Sequence, residues 1–308
     1  MRAPAVVLVY HQVVDAGPGG AELAVHPERF AAHLDVLHER AEVVPLAGIR
    51  ERSRGRPRVA VTFDDGYLDN VETAAPLLAA REVPATCFVT GWSLDADREF
   101  WWDELDHLLG GGAQAEPVAP FDTVLAGRPL RVDLGDAAAR RRAATAITLR
   151  CYRATPDDIR ATIDALAAHL GVELSMCDRH RHAGEAGIAR LAAVPGITIG
   201  AHTVRHPALS VLAPAARDAE IRGSKERLES LVGRPVTQFA FPFGHAASID
   251  DDCERSVAAA GFDVACRNEP GRVTPRTDPY RLPRVAVGDW TAEEFATRLD
   301  RWFRGRFR

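Results

Sequence analysis

Eight short apolar runs recur along the chain: Val6–Tyr10, Val43–Leu46, Val59–Phe63, Ala85–Thr90, Ile197–Ala201, Thr237–Phe241, Asp263–Arg267 and Leu282–Val287. Most are continuous rather than alternating. A strand apolar on both faces is one that is covered on both faces, which is the pattern of a parallel sheet under helices. Helical patterns lie between the runs. Pro27–Arg40 puts Phe30, Leu34 and Leu37 on one face, and Pro214–Leu231 carries Ile221, Leu228 and Leu231. Leu68–Ala80, Ile249–Ala260 and Thr291–Phe303 complete the set, the second opening on the acidic helix start "IDDDCE". Alternation of this kind builds βαβ units, in an open sheet or a closed barrel.

One region breaks the rhythm. Between Thr90 and Ile197 about a hundred residues contain no convincing parallel strand. They hold "EFWWDELDHLLGGG", a β-like patch "FDTVLAGRPLRVDL" and two helical runs, one opening at Thr155 as N-cap with Pro156 in the first turn. We read about 100–186 as a mostly helical insertion into a single domain spanning 1–308, with a small hinge at Gly110–Gly112. Insertions of this kind usually sit on the loop face that carries the active site.

Bulk composition narrows the function classes. A net charge of -5 argues against a nucleic-acid binder, which would show a basic face. The apolar run in "MRAPAVVLVYHQVV" is too short for a membrane span and has no small-residue cleavage site after it, so it reads as the first strand and the expected location is cytoplasmic. Cys87, Cys151, Cys177, Cys253 and Cys266 are odd in number and form no C-x-x-C, as expected of thiols in a reducing compartment. Oligomeric state has no signature in the sequence.

The chemistry-bearing residues cluster at strand exits. Asp64 and Asp65 end the run "VAVTFDDGYLDN", where two adjacent carboxylates repel each other unless an ion or a reaction uses them. His202 and His206 in "ITIGAHTVRHPALS" follow another strand, and on a helical turn that spacing sets both rings on one face. His11 follows "VLVY", and "FPFG" (Phe241–Gly244) follows a fourth strand. In α/β barrels the C-terminal ends of the strands converge on the rim that holds the active site. Two His and one carboxylate are a zinc set with an open position for water, whose pKa the ion lowers from 15.7 towards about 7. The other aspartate could then act as general base.

"TFDDGY", "HTVRH" and "FPFG", in that order and at strand ends, resemble the polysaccharide deacetylases (NodB-homology, carbohydrate esterase family 4). The likeness covers most of the chain outside the insertion. It implies a distorted (β/α)7-type barrel and metal-dependent hydrolysis of an N-acetyl group on an amino sugar or glycan intermediate. It also implies Asp64 as base, Asp65, His202 and His206 as ligands of a divalent metal, a loop-steadying hydrogen bond at Thr203, and a Phe243 N–H that helps hold the oxyanion. Zinc is the expected ion, although cobalt, nickel or manganese suits the same set. Two departures stand out. The family's Arg before the Pro-aromatic-Gly motif is replaced by Ala240, and Arg284 in "YRLPRVAV" is the candidate substitute. No His follows Arg272, so the acid of the usual C-terminal motif is sought at His11, as in members that look circularly permuted, with His245 as runner-up.

Trp101 and Trp102 are read as anchors of the insertion rather than as a sugar platform, and His180 and His182 in "DRHRHAGE" as solvated. The competing functions are hydrolysis of another C–N bond (cyclic imide, ureide or formamide) and non-catalytic glycan binding on a barrel. A substrate panel separates the first, and metal content separates the second.

Overall fold

The computed structural model describes residues 3–15, 23–52, 55–110 and 118–307. Its main sheet is parallel throughout. The ring strands are β1 (Ala5–Tyr10), β2 (Arg58–Phe63), β3 (Ala85–Val89), β4 (Ile197–Ala201), β5 (Gln238–Ala240), β6 (Val264–Arg267), β7 (Leu282–Pro283) and β8 (Val285–Ala286). They pair in the order β7-β6-β5-β4-β3-β2-β1-β8. β7 and β8 are two pieces of one segment. Leu282 and Pro283 pair with Cys266 and Arg267, then Val285 and Ala286 pair with Leu8 and Val9. The segment steps from one neighbour to the other at Arg284 and so nearly closes the ring. Counted as one strand it makes the expected seven.

Burial explains the apolar runs. Every residue of β1, β2 and β3 is buried, because helices cover the outside and side chains fill the inside. Val7, Ala60, Phe88, Ala240, Cys266 and Leu282 belong to one core cluster. A larger cluster joins the sheet to the surrounding helices, among them Pro27–Arg40, Pro214–Val232 and Ala292–Phe303.

Two expectations need correction. Of Val43–Leu46 only Val43 is strand, in the short strand Glu42–Val43 that pairs β2 outside the ring, because Pro45 supplies no N–H and starts the 3-10 turn Leu46–Gly48. The helix after Asp65 is not regular, since Asn70–Ala74 is a π-helix before Ala75–Ala79 returns to α. The insertion carries the expected helices and β-like patch. Its β-like patch is an antiparallel hairpin, Val118–Leu125 with Arg128–Leu134, turned by Ala126 and Gly127, both at positive φ (54° and 68°).

The helices Trp101–Leu109, Ala137–Cys151 and Pro156–Leu170 pack with this hairpin around their own core, which includes Leu105, Phe121, Ile147, Ile163 and Leu166. Asp136 and Thr155 cap the last two helices as N-caps should. Of the proposed Gly110–Gly112 hinge, Gly111 and Gly112 lie outside the described residues. Among the described residues no helix is long and apolar enough to cross a membrane.

Candidate active site

The chain turns sharply as it leaves β2. Asp65 and Gly66 both adopt positive φ (78° and 85°), the first of them uncommon for a residue with a side chain. A Cβ on Gly66 would lie 2.7 Å from Ser93 Oγ, so glycine is required there. This turn holds Asp64 and Asp65 at the rim while burying both side chains. Thr203 (65°), His206 (56°) and Phe243 (61°) are also at positive φ, so much of the non-glycine strain in the chain gathers here.

His202 and His206 sit on an irregular loop, not on a helical turn. Glu220, from the helix Pro214–Val232, accepts the N–H groups of Val204 and Arg205 (2.9 and 2.8 Å), and Thr203 Oγ1 accepts that of His206 (3.1 Å). The loop thus trades helical hydrogen bonds for a carboxylate and a hydroxyl. The Thr203 bond is the one the family resemblance implies.

The two imidazoles converge on Asp65. Its Oδ1 lies 3.6 Å from His202 Nε2 and 3.5 Å from His206 Nε2. His202 Nδ1 lies 2.7 Å from the Ala240 carbonyl, which can only accept, so Nδ1 carries the hydrogen and Nε2 turns a lone pair to Asp65. Asp65 Oδ1 is buried and receives no hydrogen bond among the described residues. The Asp65 oxygen and the His202 lone pair, two acceptors facing one another in a buried pocket with His206 Nε2 beside them, repel unless a cation lies between them. Burial, then the charges of Asp64 and Asp103, push the Asp65 carboxyl well above its usual range. Burial pulls both imidazoles down, His206 far down. The donors therefore fit a divalent metal, with His202 oriented by a carbonyl behind it in the manner of ligating histidines.

Asp64 is held apart from this set. Arg284, fully buried, grips it with two parallel bonds of 2.6 Å, Nη1 to Oδ1 and Nη2 to Oδ2. Burial alone would raise Asp64, but Arg284 and the imidazoles outweigh it and bring the pKa to about 2. The Arg284 guanidinium lies 5.5 Å over the Phe88 ring and donates to Thr62 Oγ1 at 3.3 Å. Ala240 is small and buried at the position of the family's Arg, and the guanidinium beside Asp64 arrives from the closing segment of the ring instead.

A cleft of about 460 Å³ opens over these groups, lined by His11, Asp64, Asp65, His202, His206 and Phe243 among others. His11 leaves β1 into this wall. Burial lowers its pKa to about 4, against the opposing pull of Asp64. His245 does not line the cleft and packs on Tyr152 and Phe243. The Phe243 N–H has no acceptor among the described residues, while its ring packs against His206 (4.7 Å) and Tyr152 (4.8 Å). Trp101 is buried in the insertion core, and Trp102 packs edge-on to His206 (4.7 Å) and donates Nε1 to Tyr67 Oη (2.8 Å). Both anchor the insertion, and both also line the cleft.

Sequence reasoning missed several supports. Asn70, on the π-helix, donates Nδ2 to the His11 carbonyl (2.8 Å), and Asp69 accepts the Val13 N–H (2.7 Å). Both follow Asp65 within the stretch "TFDDGYLDN", and the signal was their proximity to the motif. Tyr67 donates to Asp103 Oδ2 (2.7 Å). His180 and His182 are not solvated. His180 is buried beside Glu99 (3.3 Å) and Asp103 (3.8 Å), and His182 Nε2 lies 2.9 Å from the Arg98 carbonyl. Their polar surroundings in sequence hid partners some eighty residues away.

Comparison with known proteins adds the family. A model described as polysaccharide deacetylase matches residues 51–116 and 150–265, which include Asp64, Asp65, His202, His206 and Phe243 but not His11 or Arg284. YxkH of Bacillus subtilis (strain 168), named as a polysaccharide deacetylase, is 20% identical over 287 residues, 91% of this chain and 70% of its own. The deacetylase PplD of Streptococcus pyogenes, solved with acetate, superposes with a TM-score of 0.61 at 16% identity, covering 96% of this chain and 98% of its own. IcaB of Ammonifex degensii gives 0.59 at 18% identity, covering 98% and 97%. At these identities the structural likeness speaks for the fold.

Proposed function

The chain belongs to the polysaccharide deacetylase family, hydrolases of carbon–nitrogen bonds other than peptide bonds, and we propose that it removes an N-acetyl group from an amino sugar or glycan with a divalent metal held by Asp65, His202 and His206. The observation that carries this reading is the buried, unpartnered Asp65 Oδ1 facing two imidazole nitrogens, next to a second carboxylate clamped by Arg284. When bound, such an ion, zinc first on ligand chemistry, polarises the acetyl carbonyl and makes a water more acidic.

The chain's own residues do the rest. Asp64 takes the proton of the attacking water. Arg284 keeps Asp64 ionised and fixes both of its oxygens, at some loss of basicity. The Phe243 N–H donates to the oxyanion as the carbonyl becomes tetrahedral, a contact typically worth about 3 kcal/mol. His11 gives a proton to the departing amine. Burial holds its imidazole down, so at neutral pH it must take up a proton from solvent in the cleft before passing it to the amine. Negative charge developing on the substrate raises its proton affinity, the direction in which Asp64 already acts.

The test is acetate release from N-acetylated amino-sugar oligomers by the zinc-loaded protein, beside Asp64→Asn. The wild type should release acetate. The variant should fall by at least about a hundredfold with its metal content unchanged. No acetate from any acetylated sugar, or wild-type turnover by Asp64→Asn, would overturn the mechanism.

A further inference from the structure

A second group of metal-ligating side chains lies outside the cleft. Glu99, Cys177 and His180 bring a carboxylate oxygen, a thiol sulfur and a ring nitrogen within 4.8 Å of one another. Cys177 and His180 are three apart on the 3-10 turn Asp178–His180, a local C-x-x-H chelate. Glu99 comes from the other end of the insertion, just before the helix Trp101–Leu109. It is 3% exposed, as is His180, while Cys177 is exposed and in no disulfide.

The orientations of these groups suit an ion. Glu99 Oε1 is anchored by the Cys177 N–H (2.8 Å), which leaves Oε2 facing His180 Nδ1 at 3.3 Å. On the far side of the ring, Nε2 faces Asp103 Oδ1 at 3.8 Å, and Asp103 Oδ2 is itself held by the Tyr67 hydroxyl (2.7 Å). A carboxylate behind a histidine is how proteins fix the ring and raise the basicity of its other nitrogen towards a metal. The second carboxylate is thus an observation independent of the three converging ligands. Sulfur, nitrogen and oxygen together favour zinc over calcium or magnesium, which prefer oxygen alone.

We propose that Glu99, Cys177 and His180 form a second, structural zinc site that clips the two ends of the insertion together at its base. The ion bridges residues about eighty positions apart, so it closes a long loop and stabilises the folded insertion through binding energy that the unfolded chain lacks. The site borders the cleft wall. Asp103 lies behind His180, Tyr67 holds Asp103, and Trp102 donates to Tyr67 and packs on His206. The site is independent of the reaction proposed for the cleft and stands or falls separately from it.

Only this site contains a thiolate, which gives it a spectroscopic signature. The protein loaded with zinc should hold two equivalents. Cys177→Ser, a change at an exposed position, should hold one and still release acetate, while His202→Ala should lose the other equivalent. Loaded with cobalt(II), the wild type and His202→Ala should show a near-ultraviolet thiolate-to-cobalt charge-transfer band that Cys177→Ser lacks. In the wild type, zinc should slow the reaction of Cys177 with a thiol reagent at least tenfold. One equivalent in both wild type and Cys177→Ser, or near-ultraviolet absorption the same in the two cobalt forms, would overturn the proposal and leave a hydrogen-bonded cluster without metal.

Discussion

As the proposed base, Asp64 has to stay charged in a buried place and still accept a proton. Arg284 resolves the first requirement, and its removal tests the second. In Arg284→Met the burial that now loses to the guanidinium would win, and the Asp64 carboxyl would rise from about 2 to above its ordinary value. A base must be ionised, so activity would be lost as pH falls through the new, higher pKa. The acid limb of the pH-rate profile should move up, and kcat should fall by at least about a hundredfold. The same change leaves a buried carboxylate unpaired, which should cost about 3–5 kcal/mol in urea unfolding at neutral pH. An unchanged acid limb in a folded variant would separate Arg284 from the base. The sequence pointed to Arg284 because Ala240 stands where the family has an arginine and because Arg284 lies on the last strand. It gave no reason for the closing segment to step from β6 to β1, which is a consequence of ring closure.

Among the elements, the strands were the most legible, because parallel strands buried on both faces must be apolar along their whole length. The loops that shape the site were less so. Expecting His202 and His206 on a helical turn missed that Glu220 pins the loop from a helix further along the chain. The π-helix that sets Asn70 under the His11 carbonyl has no local pattern that distinguishes it from α. The helix Pro27–Arg40 hid a polar residue on its apolar face. His33 lies fully buried beside Phe30, Leu34 and Leu37, stacked on Phe295 (4.2 Å), with Nε2 2.7 Å from the Trp290 carbonyl and Nδ1 3.4 Å from Tyr10 Oη. Burial holds its pKa down at about 4, despite the Trp290 carbonyl and Asp289, which favour the proton. The unfolded chain binds that proton more readily, so the contribution of His33 is present above pH 6.5 and is lost as pH falls from there to 4. The full loss amounts to about 3 kcal/mol. Urea midpoints measured from pH 7 to pH 4.5 should fall less steeply in His33→Gln than in the wild type, and equal slopes would assign the dependence to other groups.

The whole molecule is built on two principal cores, and the cleft lies where they meet. The ring and its helices form one, and the insertion with its hairpin forms the other. Phe243, on the loop after β5, packs against the insertion's core, and Trp102, on the insertion, packs against His206. Loosening the insertion should therefore disturb the reaction rim without unfolding the ring. Ile163 is fully buried in the insertion core and far in sequence from every ligand. Ile163→Ala removes buried methyl groups and should cost about 2–5 kcal/mol, borne first by the insertion because few of its apolar contacts reach the ring core. Limited proteolysis should then cut within residues 101–170 at low denaturant, before the ring opens. KM for an acetylated oligomer should rise with it, because the Trp101–Trp102 wall of the cleft belongs to the loosened part. Asp65, His202 and His206 all follow ring strands, so the cleft should keep the metal proposed for it. Simultaneous loss of the cleft metal and of the insertion's protection would mean instead that the two cores unfold as one cooperative unit.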